Sequence, residues 1–187
     1  MILIINICKE KLHYLEFVKP IEDILKEKKI EYQTIYYKKI TDKELLNKKI
    51  KKIIICGTSL KDDEYLKNLD YFKWIKFPKL NKPIFGICGG MQIISFIFGG
   101  VLIENKEIGQ INIKFEKKFL NFKPSLTEVY LLHNYAVIND KFEVYANSQE
   151  LEIPQAIKHK TKPIYGVLFH PEVRNKELIN YFCDEFI

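Results

Sequence analysis

The chain has 187 residues, 47% of them hydrophobic, and a formal charge of +6. That length and composition fit one compact globular domain over residues 1–187. No apolar run approaches the ~18 residues of a membrane span, and no basic block with interleaved aromatics argues for nucleic acid, because Lys alternates with Glu and Asp along most of the chain.

The first half alternates short apolar runs with amphipathic ones, the pattern of a parallel sheet covered by helices. Ile2 to Ile7 reads as a buried first strand, and it lacks the basic start of a secretory signal. A helix entered near Pro20 follows, with Ile21, Ile24 and Leu25 as its apolar stripe. Tyr32 to Tyr37 is a second strand, and Thr41 with Glu44 forms a capping box for a short helix through Leu46. Ile53 to Cys56 is a third strand, too apolar to be anything but buried, and Gly57-Thr58-Ser59 ends it in a loop. Tyr65 to Ile75 reads as helical. Pro83 to Cys88 is a strand and Met91 to Phe98 a helix stopped by Gly99-Gly100. The pattern then changes to β segments at Ile111 to Phe115, Glu128 to Leu132 and Phe142 to Ala146. Ile164 to Phe169 returns to a buried strand, and Lys176 to Phe186 closes the chain as a helix. The expected fold is α/β: an open, mostly parallel sheet with helices on both faces and a smaller antiparallel extension.

The sharpest motif is Gly86-Ile87-Cys88-Gly89-Gly90, a nucleophile pattern set between a buried strand and a helix. A sharp strand-to-helix turn pushes the Cys88 side chain out at the carboxyl end of the sheet. Small neighbours let the backbone pass close by. The helix start aims N–H groups and a positive dipole end at the sulfur, which favours the attacking thiolate. Taken alone, a structural cysteine beside a glycine-rich turn explains the motif about as well.

A second motif decides between them. Pro163 to Glu172 is another buried strand ending in Phe169-His170-Pro171-Glu172, and it echoes the Pro-Ile-aromatic-Gly approach to Cys88. His170 therefore emerges at a strand end, where open α/β sheets place their sites. Glu172 stands two residues on, across a stiffening proline, placed to orient the imidazole towards the thiol. That is the nucleophile, base and orienter logic of a triad.

Ile87 to Gln92 together with Phe169 to Glu172 resembles the class I, triad-type glutamine amidotransferases, whose fold is flavodoxin-like. The stretch from Gln155 to Phe182 is similar to the free-standing glutaminase subunit of archaeal GMP synthetase. The resemblance implies that Cys88 attacks the side-chain amide of glutamine, that His170 moves the proton and that Glu172 orients His170. It also implies an oxyanion hole from the backbone N–H groups of Gly57 and Gly89. Gln92 matches a substrate contact, and His133, Asn134 and Tyr135 match a loop holding the amino-acid end of glutamine. The implied partner is a separate ATP-dependent synthetase, with XMP as the leading acceptor. No cofactor is implied.

Four places depart from that subfamily. Asn6-Ile7-Cys8-Lys9 replaces an Asp-Asn-Gly-type loop, and Gly57-Thr58-Ser59 replaces Gly-Gly-Pro. His133-Asn134-Tyr135 also stands for His-x-Asp, and Gly89 replaces a bulky apolar residue. The chain reads either as the GMP synthetase glutaminase or as a paralogue. A stand-alone γ-glutamyl hydrolase and a non-catalytic regulatory module are the competing readings. Cys8, Cys56 and Cys183 read as core, His13 and His159 as surface, and Tyr71 to Trp74 as core packing with one exposed ring. Four scattered cysteines without a C-x-x-C pair suggest neither a metal site nor a disulfide framework. They fit a reduced, cytoplasmic protein.

Overall fold

The computed structural model of the chain describes residues 1–148 and 152–185. Among these residues nine strands form one sheet: β1 (Ile2–Asn6), β2 (Tyr32–Tyr36), β3 (Lys52–Ile55), β4 (Ile84–Ile87), β5 (Val101–Phe115), β6 (Ser125–Ile138), β7 (Phe142–Ser148), β8 (Pro154–His159) and β9 (Ile164–Val167). Their order is β2-β1-β3-β4-β9-β8-β7-β5-β6. The first five in that order pair in parallel and the rest pair antiparallel. The expected parallel sheet is present, and the extension is continuous with it.

The apolar strands are buried on both faces, which is why they read as unbroken runs. Ile2 and Ile4 face one core with Ile21, Leu25, Ile179 and Phe182, from helices α2 (Lys19–Glu27) and α5 (Glu177–Asp184). Leu3 and Ile5 face the other, with Leu45 of α3 (Asp42–Leu45) and Met91 and Ile94 of α4 (Gly89–Ile97). The capping box at Thr41 and Glu44 is formed.

The helix entered near Pro20 is α2, with Pro20 in its first turn; α1 (Lys11–His13) and a π turn over Tyr14–Val18 run into it. Three local readings change. Glu64–Lys76 is 3-10 helix kinked at Asn68. It buries Phe72 and Trp74 and exposes Tyr71, in keeping with the aromatic run. The antiparallel arm is longer than its apolar segments, because the Lys- and Glu-rich part of β5 alternates on an exposed ribbon. Pro154–His159, which carries the family resemblance without a strand pattern of its own, is β8. Of the closing helix, Phe186 lies outside the described residues.

The placement of the site follows from one register. β4 and β9 lie side by side with Ile84 against Ile164, Phe85 against Tyr165 and Gly86 against Gly166. The two Pro-Ile-aromatic-Gly segments are therefore neighbours in space, and the residues after each emerge at the same edge. Both glycines face α4. A Cβ on Gly86 would fall 2.6 Å from the Gly90 backbone, and one on Gly166 would fall 2.9 Å from Met91 Cγ. Their absence of side chain lets α4 sit directly on the strand ends.

Candidate active site

Cys88 links β4 to α4 with φ +47° and ψ −105°, a conformation that L-residues avoid unless their surroundings impose it. Its N–H is held by the Val167 carbonyl at 2.7 Å. Gly90 makes the turn possible, since a Cβ there would lie 2.2 Å from the Ile55 carbonyl oxygen. The strained turn thus rests on two neighbouring strands.

His170 and Glu172 follow β9. Both are buried, and Nδ1 lies 2.7 Å from Glu172 Oε1. A carboxylate only accepts, so Nδ1 carries the proton and Nε2 is left to face elsewhere. Phe17 of the π turn packs against the ring at 4.9 Å between centroids. Burial opposes the imidazolium, but the Glu172 carboxylate and then the Cys88 sulfur outweigh it and hold the His170 pKa well above the ordinary histidine value. Among the described residues Nε2 has no hydrogen-bond partner, while Cys88 Sγ lies 3.5 Å from the Leu132 carbonyl. Gly57 fits between the two side chains: a Cβ on it would be 2.6 Å from His170 Cε1 and 3.2 Å from Cys88 Cβ. The structure therefore brings Cys88, His170, Glu172, Gly57 and Gly89 together.

Gln92 stands one turn into α4 and is buried. Its Nε2 donates to the Tyr135 carbonyl at 2.7 Å, which turns Oε1 towards the donating Tyr65 hydroxyl. Tyr65 also fills the space that a side chain at position 89 would need, because a Cβ on Gly89 would lie 3.1 Å from Tyr65 Cζ and 2.8 Å from Ile7 Cδ1. No local motif marks Tyr65; the missing bulk at Gly89 is the available signal.

His133, Asn134 and Tyr135 lie not in a loop but in β6, opposite an irregularity between Glu104 and Glu107 of β5. The bulge replaces ladder bonds there with side-chain bonds. His133 Nδ1 bonds the Asn105 carbonyl at 3.0 Å, and Nε2 lies 3.2 Å from Glu107 Oε2 in poor hydrogen-bond geometry. Gln155 Nε2 donates to the same Glu107 oxygen, and Asn134 Nδ2 donates to the Leu60 carbonyl at 2.9 Å. All three residues line a cleft together with Cys88 and Gln92. Its charged lining from Asp62 and Asp63 is negative.

The two histidines read as surface residues are not free. His13 bonds Asp62 and Ser59, partners 49 and 46 positions away and so invisible locally. His159 is buried, accepts the N–H groups of Thr161 and Lys162, and has its pKa lowered by that burial. Cys8, Cys56 and Cys183 are buried as expected.

A thiol on a strained strand-to-helix turn at the end of a parallel sheet places the chain among α/β proteins of the nucleophile-elbow type. Within that class, the chain belongs to the family described as "Glutamine amidotransferase class-I", which matches residues 13–187. It is 36% identical over 147 residues to the glutamine-hydrolysing GMP synthase subunit of Methanocaldococcus jannaschii, covering 75% of this chain and 74% of that one. The Methanococcus aeolicus protein of the same name is 37% identical over 148 residues, covering 73% of this chain and 74% of its own. A crystal structure from Thermoplasma acidophilum, provisionally described as a GMP synthase subunit, superposes with a TM-score of 0.82 at 25% identity. That match covers 98% of this chain and 92% of the other. A glutamine amidotransferase from Thermotoga maritima shares the fold, with a TM-score of 0.70 at 21% identity over 98% and 82% of the two chains.

Proposed function

We propose that the chain is a glutaminase subunit that hydrolyses glutamine and passes ammonia to a separate ATP-dependent synthetase, the reaction served being GMP synthesis. The observation that carries the chemistry is the buried His170–Glu172 pair beside a thiol held on a strained turn. The names of the archaeal relatives support the assignment to GMP synthesis and to a separate partner.

Cys88 Sγ turns from the Leu132 carbonyl to His170 Nε2, its proton passes to that nitrogen to give a thiolate–imidazolium pair, as the raised His170 pKa favours, and the thiolate attacks the amide carbon. The oxyanion is held by the N–H groups of Gly57 and Gly89. His170 returns the proton to the leaving nitrogen, which departs as ammonia and leaves a γ-glutamyl thioester. Water, deprotonated by the same imidazole, then releases glutamate and restores the thiol. Gln92 and the 133–135 segment bind the amino-acid end of glutamine. The four unpaired cysteines support a reducing, cytoplasmic setting.

The test is ammonia release from glutamine by the chain alone and with the synthetase captured from its native lysate. A rise in rate with the partner, absent in Cys88→Ala, is the expected result. An unchanged rate with every captured partner contradicts the subunit reading.

A further inference from the structure

A second hydrogen-bonded histidine lies beside the thiol site. His13 ends α1 and places Nδ1 3.0 Å from Asp62 Oδ2 and Nε2 2.9 Å from Ser59 Oγ. Because the carboxylate only accepts, Nδ1 carries a proton towards Asp62, and Nε2 shares a hydrogen bond with the Ser59 hydroxyl. Asp62 is buried, and its Oδ2 also takes the Thr58 hydroxyl at 3.0 Å and the Lys9 N–H at 2.7 Å. The Asp62 N–H closes the loop on itself through the Ser59 carbonyl at 3.1 Å. Next in line, the Cys8 thiol lies 3.5 Å from the Gly57 carbonyl.

Every residue of the 57–59 loop is thus tied by a side chain from elsewhere: Gly57 by Cys8, Thr58 by Asp62, Ser59 by His13. These are polar bonds between the loop, the α1 segment and the first strand's exit. Together they fix the residue that packs between Cys88 and His170.

We infer that His13 and Asp62 are positioning residues that hold the 57–59 loop in register with the Cys88 thiol. The inference rests on the glutaminase reading above. A donor at Gly57 acts on charge that appears only as the carbonyl is attacked, so a loosened loop costs kcat and leaves substrate binding nearly unchanged. Alkylation of Cys88 by iodoacetamide develops no oxyanion and needs only the thiol and its imidazole. The two reactions therefore separate a positioning role from general damage to the site.

The experiment compares His13→Ala, Asp62→Asn and His13→Gln with the wild-type chain, each with its synthetase. His13→Ala and Asp62→Asn should lower kcat about tenfold or more, short of the ~10²–10³ of a lost donor. KM for glutamine should stay within about twofold of wild type in His13→Ala, whose side chain is outside the cleft lining, and the rate of Cys88 alkylation should stay within about twofold in both variants. His13→Gln, whose amide can donate to Asp62 and accept from Ser59, should recover most of kcat. Unchanged kcat in both damaging variants overturns the inference, and so does an alkylation rate that falls in step with kcat. Ser59→Ala as inactive as Cys88→Ala would overturn it as well, by making Ser59 the nucleophile of a Ser59–His13–Asp62 triad. No ammonia release by the wild-type chain with its synthetase would overturn the glutaminase reading itself.

Discussion

Gly57 lies so close to His170 that a Cβ there would fall 2.6 Å from ring atom Cε1 and 3.2 Å from Nδ1. The ring cannot retreat, because Phe17 packs on it and Glu172 holds Nδ1. Gly57→Ala should therefore displace the loop or the imidazole. We expect ammonia release to fall about a hundredfold or more, with a stability loss of about 1–3 kcal/mol from overpacking. Steady-state rates and urea unfolding of the same preparation measure both.

Removing the carboxylate behind His170 should act on rate and on pH together. Glu172→Gln removes the nearest charge that raises the His170 pKa, so His170 loses its proton at lower pH. The alkaline limb of Cys88 alkylation should move to lower pH, and kcat should drop by about tenfold or more. The sign for stability follows from the raised value. The contribution of the pair is whole below about pH 6.5, the ordinary histidine value, and is lost as pH rises through the elevated folded-state value. Urea titrations should show a deficit of about 1.5–3 kcal/mol in the variant on the acid side, shrinking towards alkaline pH.

The remaining cysteines should be unreactive in the folded chain. Burial pushes Cys8 up to about 12 and Cys183 up to about 11, and it raises Cys56 well above the ordinary thiol value. Near pH 7.5, about one unit below the ordinary thiol pKa, a limiting alkylating reagent should label Cys88 alone. All four thiols should be labelled in denaturant, and peptide mass spectrometry distinguishes the two patterns.

Much of this site is legible in the sequence because its physics is local. Gly86-Ile87-Cys88-Gly89-Gly90 and Phe169-His170-Pro171-Glu172 each carry their geometry in a few residues, and the repeated Pro-Ile-aromatic-Gly approach places both at one sheet edge. The partners of His13 are not legible, since Asp62 and Ser59 join it only after the third strand has paired with the first. His159 reads as surface because its partners are backbone N–H groups of the next turn and not an acid. The segment from His133 to Tyr135 is placed in a loop only by the family resemblance; it lies in β6, opposite the irregularity of β5.

Tyr65 gives a prediction that no motif supplies. Its hydroxyl donates to Gln92 while its ring fills the space over Gly89. Tyr65→Phe frees the Gln92 carbonyl oxygen, and we expect KM for glutamine to rise severalfold with a smaller effect on kcat, about 0.5–1.5 kcal/mol in all. Gly89→Leu should be damaging alone and better tolerated in a Tyr65→Ala background. Initial-rate measurements over a range of glutamine concentrations test both.

The most direct measurement is covalent labelling by a glutamine-analogue diazo-ketone, with the modified peptide identified by mass spectrometry. The account predicts a single label on Cys88, blocked by excess glutamine and strongly slowed in His170→Ala. A label on any other residue, or labelling of Cys88 that glutamine does not protect, would contradict it.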